Sequence, residues 1–230
     1  MDTLTVGDLR FEVRRSPRRK AVQITVDRGG ELLLSTPEVC STQAMEKFVR
    51  EKRFWIYTKL AEKELLGPAP PSKHYVSGEG FPYLGRSYRL LLVPEQEPAV
   101  KLARGRFLMA RSAARSGREH MIHWYTERAQ PWLSERVERF QRRVGVEPLD
   151  LTVRDLGYRW GSCGRGGRLY FHWRTILLPP SIVEYIVVHE LVHLIEPHHT
   201  PAFWARVERL LPDFAVRKQW LAVNAGRLDL

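Results

Sequence analysis

Residues 180 to 200, PSIVEYIVVHELVHLIEPHHT, constrain this 230-residue chain more than any other stretch, because they set two histidines and a glutamate four residues apart into an apolar run. Val183, Ile186, Val187 and Val188 are β-branched, a propensity that favours a strand. Two local signals favour a helix instead. Ser181 stands three residues ahead of Glu184, the spacing of a capping box in which each side chain serves the other's free backbone amide. Pro197 pushes Glu196 out of the α region, so the helix is expected to stop near Ile195. Such a helix, apolar nearly all round, is a buried one.

On that helix His189 and His193 project from one face and both can reach one ion. Glu190 is turned about 100° from His189 but only about 60° from His193. Its carboxylate can therefore stand beside the ion without binding it, where a general base for an activated water is needed. The pentapeptide HELVH arises by chance in roughly 2 of 100 chains of this composition, so its flanks have to decide. A catalytic zinc takes three protein ligands and keeps a fourth position open. Beyond Pro197 the chain offers His198 and His199, then TPAFWARVERLLP, where Thr200 suits an N-cap and Pro201 the first position of a second helix. His199 lies six residues past His193, at a corner that can fold its side chain back. Ordinary core histidines are the alternative, and four ring side chains with a glutamate on so apolar a helix weigh against it.

The rest of the chain supplies a scaffold. AVQITVD and ELLLS read as strands around the turn RGG within residues 9 to 36. A helix is expected from Thr42 to about Leu66, with Met45, Phe48, Val49, Trp55, Ile56 and Leu60 on one side and Gly67 and Pro68 closing it; GPAPPSK is then a connector. FPYLGRSYRLLLVP and AVKLARGRFLMA each read as strand, turn, strand. A long helix is expected from Gly117 to Arg143, kinked or broken at Pro131. Strands follow at 150–156, 157–163 and 168–177, the last two joined by GRGGR. No internal repeat is apparent.

The formal charge of +11 could draw in nucleic acid, nucleotides or acidic proteins, but the excess is spread out and its densest patch, RRSPRRK, is short. No basic segment leads into an apolar run and no stretch reaches 18 apolar residues, so neither a signal peptide nor a membrane span is expected, and a cytoplasmic location is the default. Cys40 and Cys163 lack any paired spacing, which fits a reducing compartment.

RWGSC (159–163), LYFHWRTILLPP (169–180), YIVVHELVHL (185–194) and HHTPAFW (198–204) together resemble the YgjP-like metallopeptidase family, a relative of the SprT-like and WLM zinc peptidases. RRSPRRKAVQITV and PYLGRSYRLLL resemble its amino-terminal β region, so the likeness covers nearly the whole chain. It implies one zinc ion held by His189, His193 and His199, water activation by Glu190, and a protein or peptide substrate. The family usually has Asn at the positions of His198 and His172, which leaves open a ligand or proton-donor role for either; Glu208 is a lesser candidate for the third ligand. The implied class is α+β: a β-rich region over 1–111 with one long helix, then a zincin-like domain over 112–230 in which a small antiparallel sheet packs on the HExxH helix.

Peptide hydrolysis is the expected reaction. GYRWGSC is a candidate edge strand that pairs with extended substrate, which makes Trp160, Gly161 and Ser162 candidate substrate contacts; simple packing is the alternative for Trp160 and Cys163. Tyr158, Tyr170, His172, His198 and Tyr185 are candidate oxyanion partners. Two other readings stay open. One is hydrolysis of nucleotides or other phosphate compounds gripped by Arg154, Arg159 and Arg174, with GRGGR as a weak phosphate loop. The other is a nucleic-acid-associated protease of the SprT-like kind, although no zinc ribbon or helix-turn-helix signature is evident.

Overall fold

The strand-rich front of the chain and its helical end pack as two compact units, Met1–Pro70 and Pro71–Leu230, in an α+β architecture. The computed structural model describes residues 2–27, 31–64, 72–157, 159–224, 226, 228 and 230; the RGG turn, the Gly67–Pro68 helix end, most of the GPAPPSK connector and Tyr158 lie outside them.

In the first unit β1 (Asp2–Val6) and β2 (Leu9–Ser16) form one hairpin, β3 (Gln23–Val26) and β4 (Leu32–Pro37) another. The two join through parallel pairing of β2 with β4, giving the order β1-β2-β4-β3. Helix α1 (Thr42–Glu51) is capped by Ser41, whose hydroxyl accepts from the Ala44 amide at 3.2 Å. Helix α2 (Arg53–Glu64) follows after Lys52, so the single helix expected over 42–66 is two. Met45, Val49 and Ile56 all enter the core beside Phe11 and Leu34. The apolar face carries across the break, which is why periodicity reads one helix.

The second unit opens with β5 (Gly80–Tyr83), β6 (Arg86–Val93), β7 (Val100–Ala103) and β8 (Arg106–Ala110) in the order β5-β6-β8-β7. This is the topology of the first sheet again: two antiparallel hairpins joined by parallel inner strands. The repeat that is not apparent in the sequence is thus present in the strand order. Helix α3 (Gly117–Val144) runs unbroken through Pro131, which is exposed, so the Glu127 carbonyl left without an amide partner faces water. Gly145, in the left-handed region at φ 79°, ends the helix with its amide on the Gln141 carbonyl.

Strands β9 (Asp150–Arg154), β10 (Gly161–Cys163) and β11 (Arg168–His172) form a three-stranded sheet in the order β10-β11-β9. The sheet is mixed rather than antiparallel. A tight turn folds β10 back along β11, and β11 pairs in parallel with β9 on its other side. Helices α4 (Pro180–Val192), α5 (Pro201–Leu210) and α6 (Phe214–Asn224) complete the unit. The capping box at the start of α4 does not form. Pro180 occupies the first turn, and Glu184 instead faces Arg139 of α3 at 3.3 Å and Arg217 of α6 at 3.6 Å, bridging three helices. As its composition implies, α4 is buried on nearly every side.

The division of the chain falls at Pro70, not after residue 111. Phe81, Leu90, Phe107 and Met109 share one core with Met121, Trp124 and Tyr125 of α3, and the Phe107 ring lies 4.8 Å from Trp124 and 6.0 Å from Tyr125. No helix among the described residues is long and apolar enough to cross a membrane. A fragment of residues 71–230 is expected to unfold cooperatively on heating, whereas one of residues 112–230, stripped of that aromatic layer, is expected to melt without a transition. A cooperative 112–230 fragment would restore the later boundary.

Candidate metal centre

The last turn of α4 and the corner after it bring three imidazoles to one point. His189 Nε2 lies 3.2 Å from His193 Nε2 and 2.9 Å from His199 Nε2. His189, His193 and His199 form the group of potential metal ligands found among the described residues. His189 and His193 meet because four residues make one turn. His199 reaches them because the chain leaves the helix at His193, turns through Pro197 and re-enters α5 at Pro201, with the Thr200 hydroxyl accepting from the Phe203 amide at 3.3 Å.

The protonation states suit cation binding. His193 Nδ1 stands 3.0 Å from the Glu196 carbonyl. A carbonyl only accepts, so Nδ1 carries the proton and the Nε2 lone pair is free to face the common point. Burial, and then the neighbouring His193 and His199, push the His189 ring down to about 3, and burial likewise lowers His199. His189 Nδ1 is buried and has no hydrogen-bond partner among the described residues. The three ring nitrogens lie within 4.8 Å of one another, close enough for one cation to engage all of them. A donor set of nitrogens alone suits zinc or another borderline divalent ion.

Aromatic rings wall the cluster. Phe203, fully buried, lies 4.9, 4.6 and 4.8 Å from the rings of His189, His193 and His199. Trp204 stacks on His199 at 5.5 Å, and the Lys218 ammonium lies 4.1 Å over the Trp204 ring. None of these three is marked by the motif spacing. Phe203 and Trp204 sit in the first turn of the helix after the third histidine, whereas Lys218 comes from α6, which no local signal ties to the cluster.

Glu190 is turned toward β10. Its carboxyl is buried, which pushes it up to about 8 against the pull of the Cys163 backbone amide and the Arg159 charge. Gly161 lies so close that a Cβ there would sit 2.7 Å from Glu190 Oε1. Tyr185, one turn before His189, packs edge-on to that ring at 5.9 Å, and burial pushes its phenol up to about 12.

Other expected site residues stand elsewhere. His172 is fully buried. Its Nδ1 accepts from the Arg174 amide at 3.0 Å and its Nε2 faces Asp155 at 3.3 Å, so it caps the short helical turn at Trp173–Leu177 and is outside the imidazole group. His198 is exposed beside the corner and outside the group as well, as is Glu208 on α5. Trp160 is half-buried, and its carbonyl accepts from the His172 amide at 2.9 Å. Ser162 accepts from Arg159 at 3.1 Å. Arg154 covers the Tyr170 ring at 4.4 Å and Arg174 that of Trp173 at 4.9 Å. GRGGR is the turn between β10 and β11, with Gly166 and Gly167 at positive φ.

Three imidazoles converging at the end of a buried helix that packs against β10 make a candidate metal centre, and the family match makes the chain a metal-dependent peptidase. The chain belongs to the YgjP-like family: the family model described as YgjP-like, metallopeptidase domain, matches residues 20–224. Among solved structures it is similar to the metallopeptidase zymogen abylysin of Pyrococcus abyssi, at 19% identity and a TM-score of 0.39 over 43% of this chain and 99% of that one. Comparison with curated proteins gives no match.

The buried carboxyl makes a pH-dependent prediction for the metal-free protein. A carboxyl raised from 4.5 to about 8 holds its proton in the folded state, so its contribution to stability is present below pH 4.5 and lost as pH climbs through 8. In chelator, Glu190→Gln is expected to melt increasingly above the wild type between those values, followed by thermal unfolding against pH. A constant difference would contradict the burial.

Proposed function

We propose that this chain is a zinc peptidase of the HExxH type. His189, His193 and His199 hold one ion through their Nε2 atoms, and Glu190 is the general base. The observation that carries the reading is the convergence of three Nε2 atoms, with one tautomer fixed by the Glu196 carbonyl. A zinc ion bound there supplies Lewis acidity, bringing the pKa of a water toward about 7 and polarising the scissile carbonyl.

The protein's own groups do the remaining work. Glu190 takes the proton from the attacking water and delivers it to the leaving amine. Burial favours its protonated form, which suits the second of these steps. Tyr185 keeps its phenolic proton across the working pH range and is a candidate donor to the developing oxyanion. Strand β10 is an edge strand, and an extended peptide is the substrate shape its open side suits. The proposed substrate is therefore a protein or peptide, and cytoplasmic action remains part of the proposal.

Glu190→Gln is expected to retain a full equivalent of zinc while peptide turnover falls by roughly 100-fold or more. His189→Ala, His193→Ala and His199→Ala are each expected to lose the metal, and His198→Ala to keep it. Metal analysis with hydrolysis of unfolded casein beside a nucleotide panel checks both. Retained turnover in Glu190→Gln, or a nucleotide cleaved in place of casein, would contradict the reading.

A further inference from the structure

Strand β10 stands between β11 and Glu190, and its backbone is used on both sides. The Trp160 carbonyl accepts from the His172 amide at 2.9 Å, and the Gly164 amide donates to the Arg168 carbonyl at 2.8 Å. In an antiparallel ladder those alternating residues bond across to β11, so the polar groups of Gly161 and Cys163 are directed to the open edge. Glu190 lies on that side, where the Cys163 amide meets its carboxyl. At Gly161 a Cβ would lie 2.7 Å from Glu190 Cγ, 2.7 Å from Oε1 and 2.9 Å from Cδ.

The φ of Gly161 is not in the left-handed region, so an alanine fits the backbone, and the three atoms nearest to its Cβ all belong to the Glu190 side chain. That obstacle can move. The atoms in the way run from Cγ to the carboxyl, a side chain that shifts by rotation about its own bonds, whereas β10 is held by its ladder to β11. A methyl at residue 161 would thus be accommodated by displacing Glu190, with the sheet left in place.

We propose that Gly161 is a positioning residue: its lack of a side chain lets the edge strand back the Glu190 carboxyl and hold it in one orientation beside the three imidazoles. This rests on the general-base role proposed for Glu190, and it gives the glycine of the RWGSC motif a task other than touching substrate.

The test is Gly161→Ala made in two backgrounds, wild type and Glu190→Ala, both loaded with zinc. In the wild-type background kcat on a peptide is expected to fall about 100-fold, the order of loss that misplacing a reacting group by about 1 Å produces. KM should change less than kcat, because the added methyl meets Glu190 while the backbone groups of β10 that would pair with a peptide are unaltered, and the zinc content should be unchanged. Gly161→Ala should lower the melting temperature when Glu190 is present and leave it equal or raised when residue 190 is Ala, since the methyl then has room. An undiminished kcat, or the same drop in melting temperature in both backgrounds, would overturn the proposal. So would a Gly161→Ala protein that fails to fold and is not rescued by Glu190→Ala. If the wild type cleaves no peptide, the peptidase reading fails, while the melting-temperature comparison still decides whether the glycine makes room for the carboxyl.

Discussion

Three imidazole nitrogens have been gathered within 4.8 Å of one another, and the second unit is organised to keep them there. His189 and His193 need a rigid helix, which α4 provides by being buried on nearly every side. His199 needs a reversal of the chain, which the Pro197 corner and the Thr200–Pro201 start of α5 provide. Phe203 and Trp204 then pack against the cluster from the side of α5, leaving His199 open to solvent on its outer side. Burial favours the neutral form of His189, the most enclosed of the three, which keeps its ring nitrogen available to a cation.

Glu190 is the complementary case. Its helix position turns it away from the imidazole face, into contact with the edge strand, and the strand meets it with an amide and a glycine. The sheet is thereby tied through one side chain to the helix that carries His189. The mixed pairing follows from the same arrangement: β11 occupies the middle of the sheet, tied to β9, and β10 is left at the edge, on the side where α4 passes.

Much of this was legible in the sequence, because the three histidines are close along the chain. A spacing of four and a Thr-Pro pair that starts the next helix are short-range signals, and both hold; the stop expected near Ile195 from Pro197 comes earlier, at Val192. The hairpins around Leu84–Gly85 and Arg104–Gly105 were equally readable from their turns. What failed was long-range. Ser181 and Glu184 have the spacing of a cap, but two arginines on other helices claim Glu184. His172 looks like a candidate donor in sequence, and the fold commits both of its nitrogens to Arg174 and Asp155. The strand order β10-β11-β9, the repeated sheet topology, and the ring wall of Phe203 and Trp204 depend on which elements meet, and periodicity carries no record of that. Phe81 and Phe107 read as part of an amino-terminal region because their strands resemble the earlier ones, yet they pack on α3.

The most direct measurement of the central claim is X-ray absorption at the zinc edge on the protein loaded with one equivalent of metal. Three imidazole nitrogens at about 2.0–2.1 Å, completed by oxygen in the remaining position, is the first shell predicted here. A shell with fewer than three imidazoles, or one containing sulfur from a cysteine, would contradict it.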